Sequence, residues 1–213
     1  MGDYFLAKAL IEVTATRNFR VLEIISETAR LLARGELLQI EHSRKLVSDE
    51  AAYLKLISDK TAALISASCQ LGAVTTSDDL KAQEAMKNFG ENLGIAFQIK
   101  DDMFDFIGTT SIVGKPVGTD VKESKITLPL VYAFLHGPKK EAKEILSQIK
   151  KGLKKREIKN ILQFVKENGG LKYAQEKAEE YSVKAKQSLD YFPGSQHKQA
   201  MIDFLEYNIQ REK

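Results

Sequence analysis

Gln98, Asp101, Asp102 and Asp105 recur at i, i+3, i+4 and i+7 within GENLGIAFQIKDDMFDF. On a helix, that spacing puts four polar side chains in one stripe along one face. Extended backward, the stripe reaches Gly94 and Gly90, which add no side-chain bulk. Ile95, Phe97, Ile99, Met103 and Phe104 cover the other faces, so the stripe reads as a cavity wall and not as a solvated face. The three aspartates suit a structural task badly. Asp101 and Asp105 are like charges one turn apart, with Cβ atoms about 5–6 Å from each other. They lie in the last turns, where the helix dipole disfavours anions, and Asp is a mediocre helix former. A cation would offset these penalties. Short carboxylates one turn apart suit Mg²⁺, which takes a few carboxylates, keeps some waters and shares phosphate oxygens. The competing reading is a solvated acidic helix end before a loop.

The segment after this helix adds positive charge. Lys115 stands between Gly114 and Pro116, and Lys125 follows in DVKESKITLP. Lysines beside a carboxylate–metal site suit a diphosphate, with metal on one side and ammonium on the other. The alternative is ordinary lysines on a surface loop. GTTSIVGKP is a near miss for a nucleotide P-loop. It has one residue too many, Pro116 stands where Ser or Thr is needed, and it follows a helix instead of a strand. Lys60 and Thr61 lie mid-helix in SDKTAALISAS, where a Lys opens a small-residue face; alone, Lys60 reads as solvent-exposed. Glu36 and Gln39 form an i, i+3 polar pair directly after Gly35 in an otherwise apolar stripe. His42, His136 and His197 lack ligand spacing and receive no role. Cys69, beside Ser66 and Ser68, reads as a packed small residue.

Helices must position these groups. All four prolines lie beyond residue 115, and Ala, Leu, Glu, Lys and Gln dominate the chain. No stretch alternates strictly and no Asn-Gly or Asp-Gly hairpin turn occurs, so the fold class is all-α. The 3.6-residue period places helices at 3–14, 18–41, 48–71, 78–106, 127–135, 139–151, 155–168, 170–190 and 196–210, with residues 108–120 as a loop. A length of 213 residues and the absence of an internal repeat give one helical domain, 1–213. The net charge of +3 is too small to argue for nucleic acid. The lysine-rich stretch from Lys139 to Asn160 reads as a solvated face of two helices. One cysteine rules out an internal disulfide framework and any multi-Cys zinc site, which points to a reduced, cytoplasmic setting. No apolar run approaches the roughly 20 residues of a membrane span, and no basic region precedes the first apolar stretch as in a signal peptide.

In order, GELLQIE, DKTAALI, FQIKDDMFDF and GKPVGTDVKESKITLP resemble the trans-isoprenyl diphosphate synthases, or polyprenyl synthetases. The wording is most similar to the bacterial octaprenyl-type members. The resemblance extends from GDYFLAKAL through the C-terminal helices. It implies long antiparallel helices around a central cavity, usually as a homodimer, and Mg²⁺ as cofactor. It implies elongation of an allylic prenyl diphosphate with isopentenyl diphosphate, through ionisation and 1′-4 condensation. Asp101, Asp102 and Asp105 match the second aspartate-rich motif, which holds the metal. Lys60, Lys115 and Lys125 match the lysines that bind the allylic diphosphate. Gln98 and Thr61 match polar residues near the reacting carbons, so Lys60, Thr61 and Gln98 form the expected catalytic set. The family's first aspartate-rich motif, its following arginines and its N-terminal basic residues have no counterpart here. The expectation is therefore an N-terminally truncated chain, inactive or impaired by itself. The other expectations weighed are a non-catalytic partner subunit and a terpene cyclase. Retention of the DDxxD and lysines argues against the first, and the lack of a second Asn/Asp…Ser/Thr…Glu motif argues against the second.

Overall fold

A computed structural model describes residues 1–107 and 118–211. Lys115, with Gly114 and Pro116, lies outside the described residues. Helix α1 (Gly2–Ala15) leads into α2 (Phe19–Lys45), whose N-cap Asn18 accepts hydrogen bonds from the N–H groups of Arg20 and Val21. A second long rod follows. Helix α3 (Glu50–Ile57) is capped by Asp49, which accepts from the Ala52 N–H. It passes without a break through a π-helical turn, Ser58–Ala62, into α4 (Ala63–Val74). Helix α5 (Leu80–Ile107) is the third long rod and carries the acidic stripe. Short α6 (Thr119–Lys122) precedes α7 (Leu128–His136), where Pro129 sits in the first turn and its missing N–H leaves no gap in the helix ladder. Helices α8 (Lys139–Lys151), α9 (Lys155–Glu167), α10 (Gly170–Ser188) and α11 (Gln196–Gln210) complete the chain. Among the described residues every regular element is helical, and no helix is long and apolar enough to cross a membrane.

The expected helices appear, with four departures. Helix α2, expected to end at 41, runs on to Lys45, and the short α6 at Thr119–Lys122 begins inside the expected loop 108–120. The expected helix at 48–71 contains the π turn and runs on to Val74. The expected helix at 170–190 ends at Ser188, and Leu189–Tyr191 tightens into a 3₁₀ turn.

Helix α5 lies at the centre, packed against α4 on one side and α10 on the other. Ile95, Ile99 and Met103 meet Tyr53, Ile57, Leu128, Ala174 and Ala178 in one buried cluster. Ile99 is fully buried, and each large apolar side chain buried this way contributes about 1.5–3 kcal/mol. Small residues let the rods approach closely. A Cβ on Gly94 would stand 2.6 Å from the Ala62 Cα, and one on Gly35 would stand 2.8 Å from the Lys60 backbone N. The glycines thus clamp α5 and α2 onto the π turn from two sides. Helices α8 and α9 turn Ala142, Ile145 and Ile149, and Ile161, Phe164 and Val165, toward Phe106, Val121 and Leu130.

Candidate functional site

The π turn is where the site begins. One extra residue in a helical turn rephases the side chains that follow, and such turns recur at functional positions. Here it carries Lys60 and Thr61. Asp59 in the same turn is almost fully buried and anchors it. Its carboxylate accepts two hydrogen bonds from Arg34 on α2, at 2.6 and 2.8 Å, and one from Lys55 at 3.1 Å. Burial alone would raise its pKa. The Arg34 and Lys55 bonds outweigh that and hold it below the usual carboxylate value.

A cavity of about 240 Å³ opens between α2, the π turn, α5 and the segment around α6. Lys60, Thr61, Gln98, Asp101, Asp102 and Lys125 all line it. Those six expected site residues come from three separate stretches of sequence. A hydrogen-bonded relay crosses its wall. The Thr61 hydroxyl donates to Gln98 Oε1 at 2.8 Å, and Gln98 Nε2 donates to Asp102 Oδ1 at 2.8 Å. Tyr53 on α3 donates its hydroxyl to Asp102 Oδ2 at 2.7 Å.

The three aspartates of the stripe have different surroundings. Asp102 is buried, with both oxygens bonded, one to Tyr53 and one to Gln98. Burial pushes its pKa up to about 7 against those two bonds, and the Asp120 and Asp101 charges add to the rise. Asp105 does not line the cavity. It turns toward α6, accepting from the backbone N–H groups of Thr119 at 2.9 Å and Asp120 at 3.1 Å. Burial and the neighbouring Asp120 charge push its pKa up to about 6. Asp101 is the most open of the three, with 56% of its side chain exposed, and approaches Arg211 at 3.9 Å. Among the described residues no three His, Cys, Asp or Glu side chains converge as a ready metal cage.

Lysines close the other side. Lys60 Nζ lies 3.2 Å from Glu36, joining the two polar pairs singled out in the sequence. Lys125 pairs with Glu123 at 2.7 Å and Asp120 at 3.1 Å. Burial works against its charge, but these carboxylates win and hold its pKa above the usual lysine value. Lys115 falls outside the described residues.

Sequence reasoning missed several wall residues. Tyr53 reads in EAAYLKLI as one more core aromatic, although its hydroxyl ties α3 to α5. His42, given no role, lines the cavity with Gln39 and Ser43. Asp120 stood inside the quoted GTDVK wording without a task, and it both lines the cavity and holds Lys125. Arg211 carries no local signal at all. Its guanidinium lies 4.3 Å from the Phe97 ring centroid and donates to the Phe97 carbonyl at 3.3 Å, beside Asp101.

The arrangement can hold a polyanion. Two ammonium groups and an all-oxygen donor set face one small cavity beneath amide and hydroxyl groups. The donor chemistry fits a hard divalent cation such as Mg²⁺, held foremost through Asp101, whose carboxylate has no short hydrogen bond in the relay. Burial is the main cause of the raised Asp102 and Asp105 pKa values, and the repulsion from Asp120 that adds to it is what such a cation would relieve.

Comparison with known proteins agrees with this geometry. The polyprenyl synthetase family model matches residues 1–165. The chain is 32% identical to octaprenyl diphosphate synthase of Haemophilus influenzae, over 99% of this chain and 64% of that protein. It is 32% identical to heptaprenyl diphosphate synthase component 2 of Bacillus subtilis, over 97% of this chain and 58% of that protein. A crystal structure of polyprenyl synthase from Caulobacter crescentus, complexed with calcium and isoprenyl diphosphate, superposes with a TM-score of 0.92 at 32% identity. That alignment covers 100% of this chain and 65% of the Caulobacter chain. The chain therefore spans less than two thirds of the length of these relatives. With the family model matched over most of its residues and its helices superposed on a polyprenyl synthase, this chain belongs to the polyprenyl synthetase family.

Proposed function

We propose that this chain supplies the allylic-diphosphate half of a prenyltransferase site, working in elongation of a prenyl diphosphate by isopentenyl diphosphate. One observation carries the reading: Lys60, Thr61, Gln98, Asp101, Asp102 and Lys125 meet on a single cavity of about 240 Å³. Lys60 and Lys125, joined by Lys115 of the same family motif, bind the diphosphate. Their charge stabilises it as the C1–O bond breaks and it departs with the electron pair. Mg²⁺, held foremost by Asp101 of the Asp101, Asp102 and Asp105 motif, supplies further charge neutralisation when bound. Gln98 and Thr61, locked to each other and to Asp102, set the polar wall beside C1. The isopentenyl double bond then attacks C1, and loss of a proton completes the 1′-4 bond. The apolar residues behind the stripe exclude water that would capture the cation. A second copy of the chain is the proposed partner, since α1 buries none of its residues and exposes Tyr4, Phe5, Leu6 and Ile11.

The test is calorimetric titration with a non-ionisable allylic thio-diphosphate, with and without Mg²⁺. Mg²⁺-dependent binding is expected, weakened at least tenfold by Asp101→Asn and by Lys60→Met, the scale of one lost charge-assisted contact of about 1.5–3 kcal/mol. Equal binding with and without Mg²⁺, or none at all, would refute the reading in favour of a non-catalytic partner subunit.

A further inference from the structure

We propose that the junction of α8 and α9 is a docking surface for an anionic phospholipid bilayer. Residues 139–167 hold ten Lys or Arg against four Glu, a net +6 in a chain whose total is +3, so the remainder carries −3. All ten basic side chains are exposed. Five of them, Lys150, Lys151, Lys154, Lys155 and Arg156, fall within seven consecutive residues where α8 ends and α9 begins.

Among the described residues none of the ten takes part in an ion pair, although pairing is the habit of this surface elsewhere. Lys45 meets Glu41 at 2.6 Å, Lys184 meets Glu180 at 2.7 Å, and Lys186 meets Glu206 at 3.1 Å. The apolar faces of α8 and α9 are already spent on the core, through Ile145, Ile149, Ile161 and Phe164. The outer face is thus cationic, unpaired among the described residues and free of packing duties. Mutual repulsion among so many like charges falls when an anionic surface meets them.

The chemistry favours lipid over nucleic acid. Single-stranded nucleic acid is held by aromatic platforms between the cations. Phe164 is the one aromatic residue in 139–167, and it is buried. The exposed apolar group nearby is aliphatic: Leu135, just before α8, is 59% exposed. An aliphatic side chain beside lysines suits a headgroup boundary. The location also matters. Ile158 of α9 packs over Gly118 so closely that no Cβ would fit there, and Gly118 leads directly into Asp120 on the cavity wall. Docking through this face would bring the cavity close to the bilayer. The inference stands on charge and exposure and does not require the proposed chemistry.

The test is co-sedimentation of the 213-residue chain with vesicles of phosphatidylcholine alone and of phosphatidylcholine mixed with phosphatidylglycerol. Each basic residue at an anionic leaflet strengthens binding about five-fold, so replacing all five junction cations by Gln should weaken it by at least about thirty-fold even with partial engagement. Binding is expected only with phosphatidylglycerol present and should fall as salt is raised. Circular dichroism melting checks that the Gln variant folds. The combined variant Lys172→Gln, Lys184→Gln and Lys186→Gln, on another face, should bind as the unaltered chain does. Equal binding to both vesicle types, an unaffected junction variant, tighter binding to a single-stranded oligonucleotide, or no binding at low salt would each overturn the proposal.

Discussion

Replacing Gly94 by Ala tests how the site is held together. A new Cβ would sit 2.6 Å from the Ala62 Cα and 2.8 Å from its Cβ, where ordinary contact begins at 3.4 Å. Neither side can rotate away, because the obstacle is backbone and a methyl group. Helix α5 must then retreat from the π turn by about 0.8 Å, the difference between 3.4 and 2.6 Å. Two effects compete. Ala favours an α-helix over Gly by about 1 kcal/mol, whereas overpacking of this kind costs about 1–3 kcal/mol. A backbone obstacle puts the cost at the upper end, leaving a net loss of about 2 kcal/mol and a Tm lower by about 4–8 °C for a domain this size. The site should suffer as well. The Thr61–Gln98 hydrogen bond of 2.8 Å spans the same gap and would open to about 3.6 Å, too long to count as a bond. Affinity for the allylic thio-diphosphate with Mg²⁺ should fall about tenfold, the scale of one hydrogen bond. Scanning calorimetry and titration read both effects. A raised Tm with unchanged affinity would refute the reasoning, because it would mean that helix propensity dominates and the clamp is unimportant.

Two further outcomes follow from the same geometry. A carboxyl whose pKa is higher in the folded than in the unfolded chain contributes stability that is complete below the unfolded value. That stability is lost as pH rises through the folded value. Asp102 at about 7 and Asp105 at about 6 are of this kind, so without metal the unfolding free energy, read from the urea midpoint, should fall between pH 5 and pH 8, by no more than about 3 kcal/mol from Asp102. Asp59 and Glu180, whose pKa values are lowered, act at more acid pH and do not mask this window. Asp102→Asn should flatten the curve, and a midpoint that rises from pH 5 to pH 8 in the unaltered chain would contradict the assignment. Light scattering should give twice the chain mass, and Phe5→Glu with Leu6→Glu on α1 should return it to one; a monomer before substitution would remove the case for a second copy.

Helix periodicity made most of the architecture legible. The stripe from Gly90 to Asp105 is visible in sequence because all its members share one helix and one period. The π turn was not legible, because Ser-Asp-Lys-Thr-Ala contains no breaker and each residue tolerates an α-helix. What holds the turn is distant: Arg34 reaches Asp59 from 25 residues away, and Gly35 lies against Lys60. Tyr53 escaped notice for a related reason. A tyrosine on an apolar face satisfies the core through its ring whether or not its hydroxyl finds a carboxylate. Asp105 was misjudged in direction. Spacing placed it on the stripe, but Thr119 and Asp120, distant in sequence, offer their N–H groups to its carboxylate.

This redirection gives the three aspartates different surroundings. Successive residues on a helix point about 100° apart, so Asp101 and Asp102 reach the cavity from different sides of α5. Asp101 lines it with 56% of its side chain exposed. Asp102 lines it from a buried position with both oxygens bonded to Tyr53 and Gln98, and through Gln98 it fixes Thr61. Asp105, one turn on from Asp101, holds the first N–H groups of α6 and so fixes Asp120, which in turn positions Lys125. Each aspartate thus governs a different wall of one cavity. Removing the Asp101 charge should weaken cation binding and leave the fold intact. Removing Asp105 should displace Lys125 without touching the relay at Thr61, so the two substitutions should impair diphosphate binding through different groups and by nearly independent amounts.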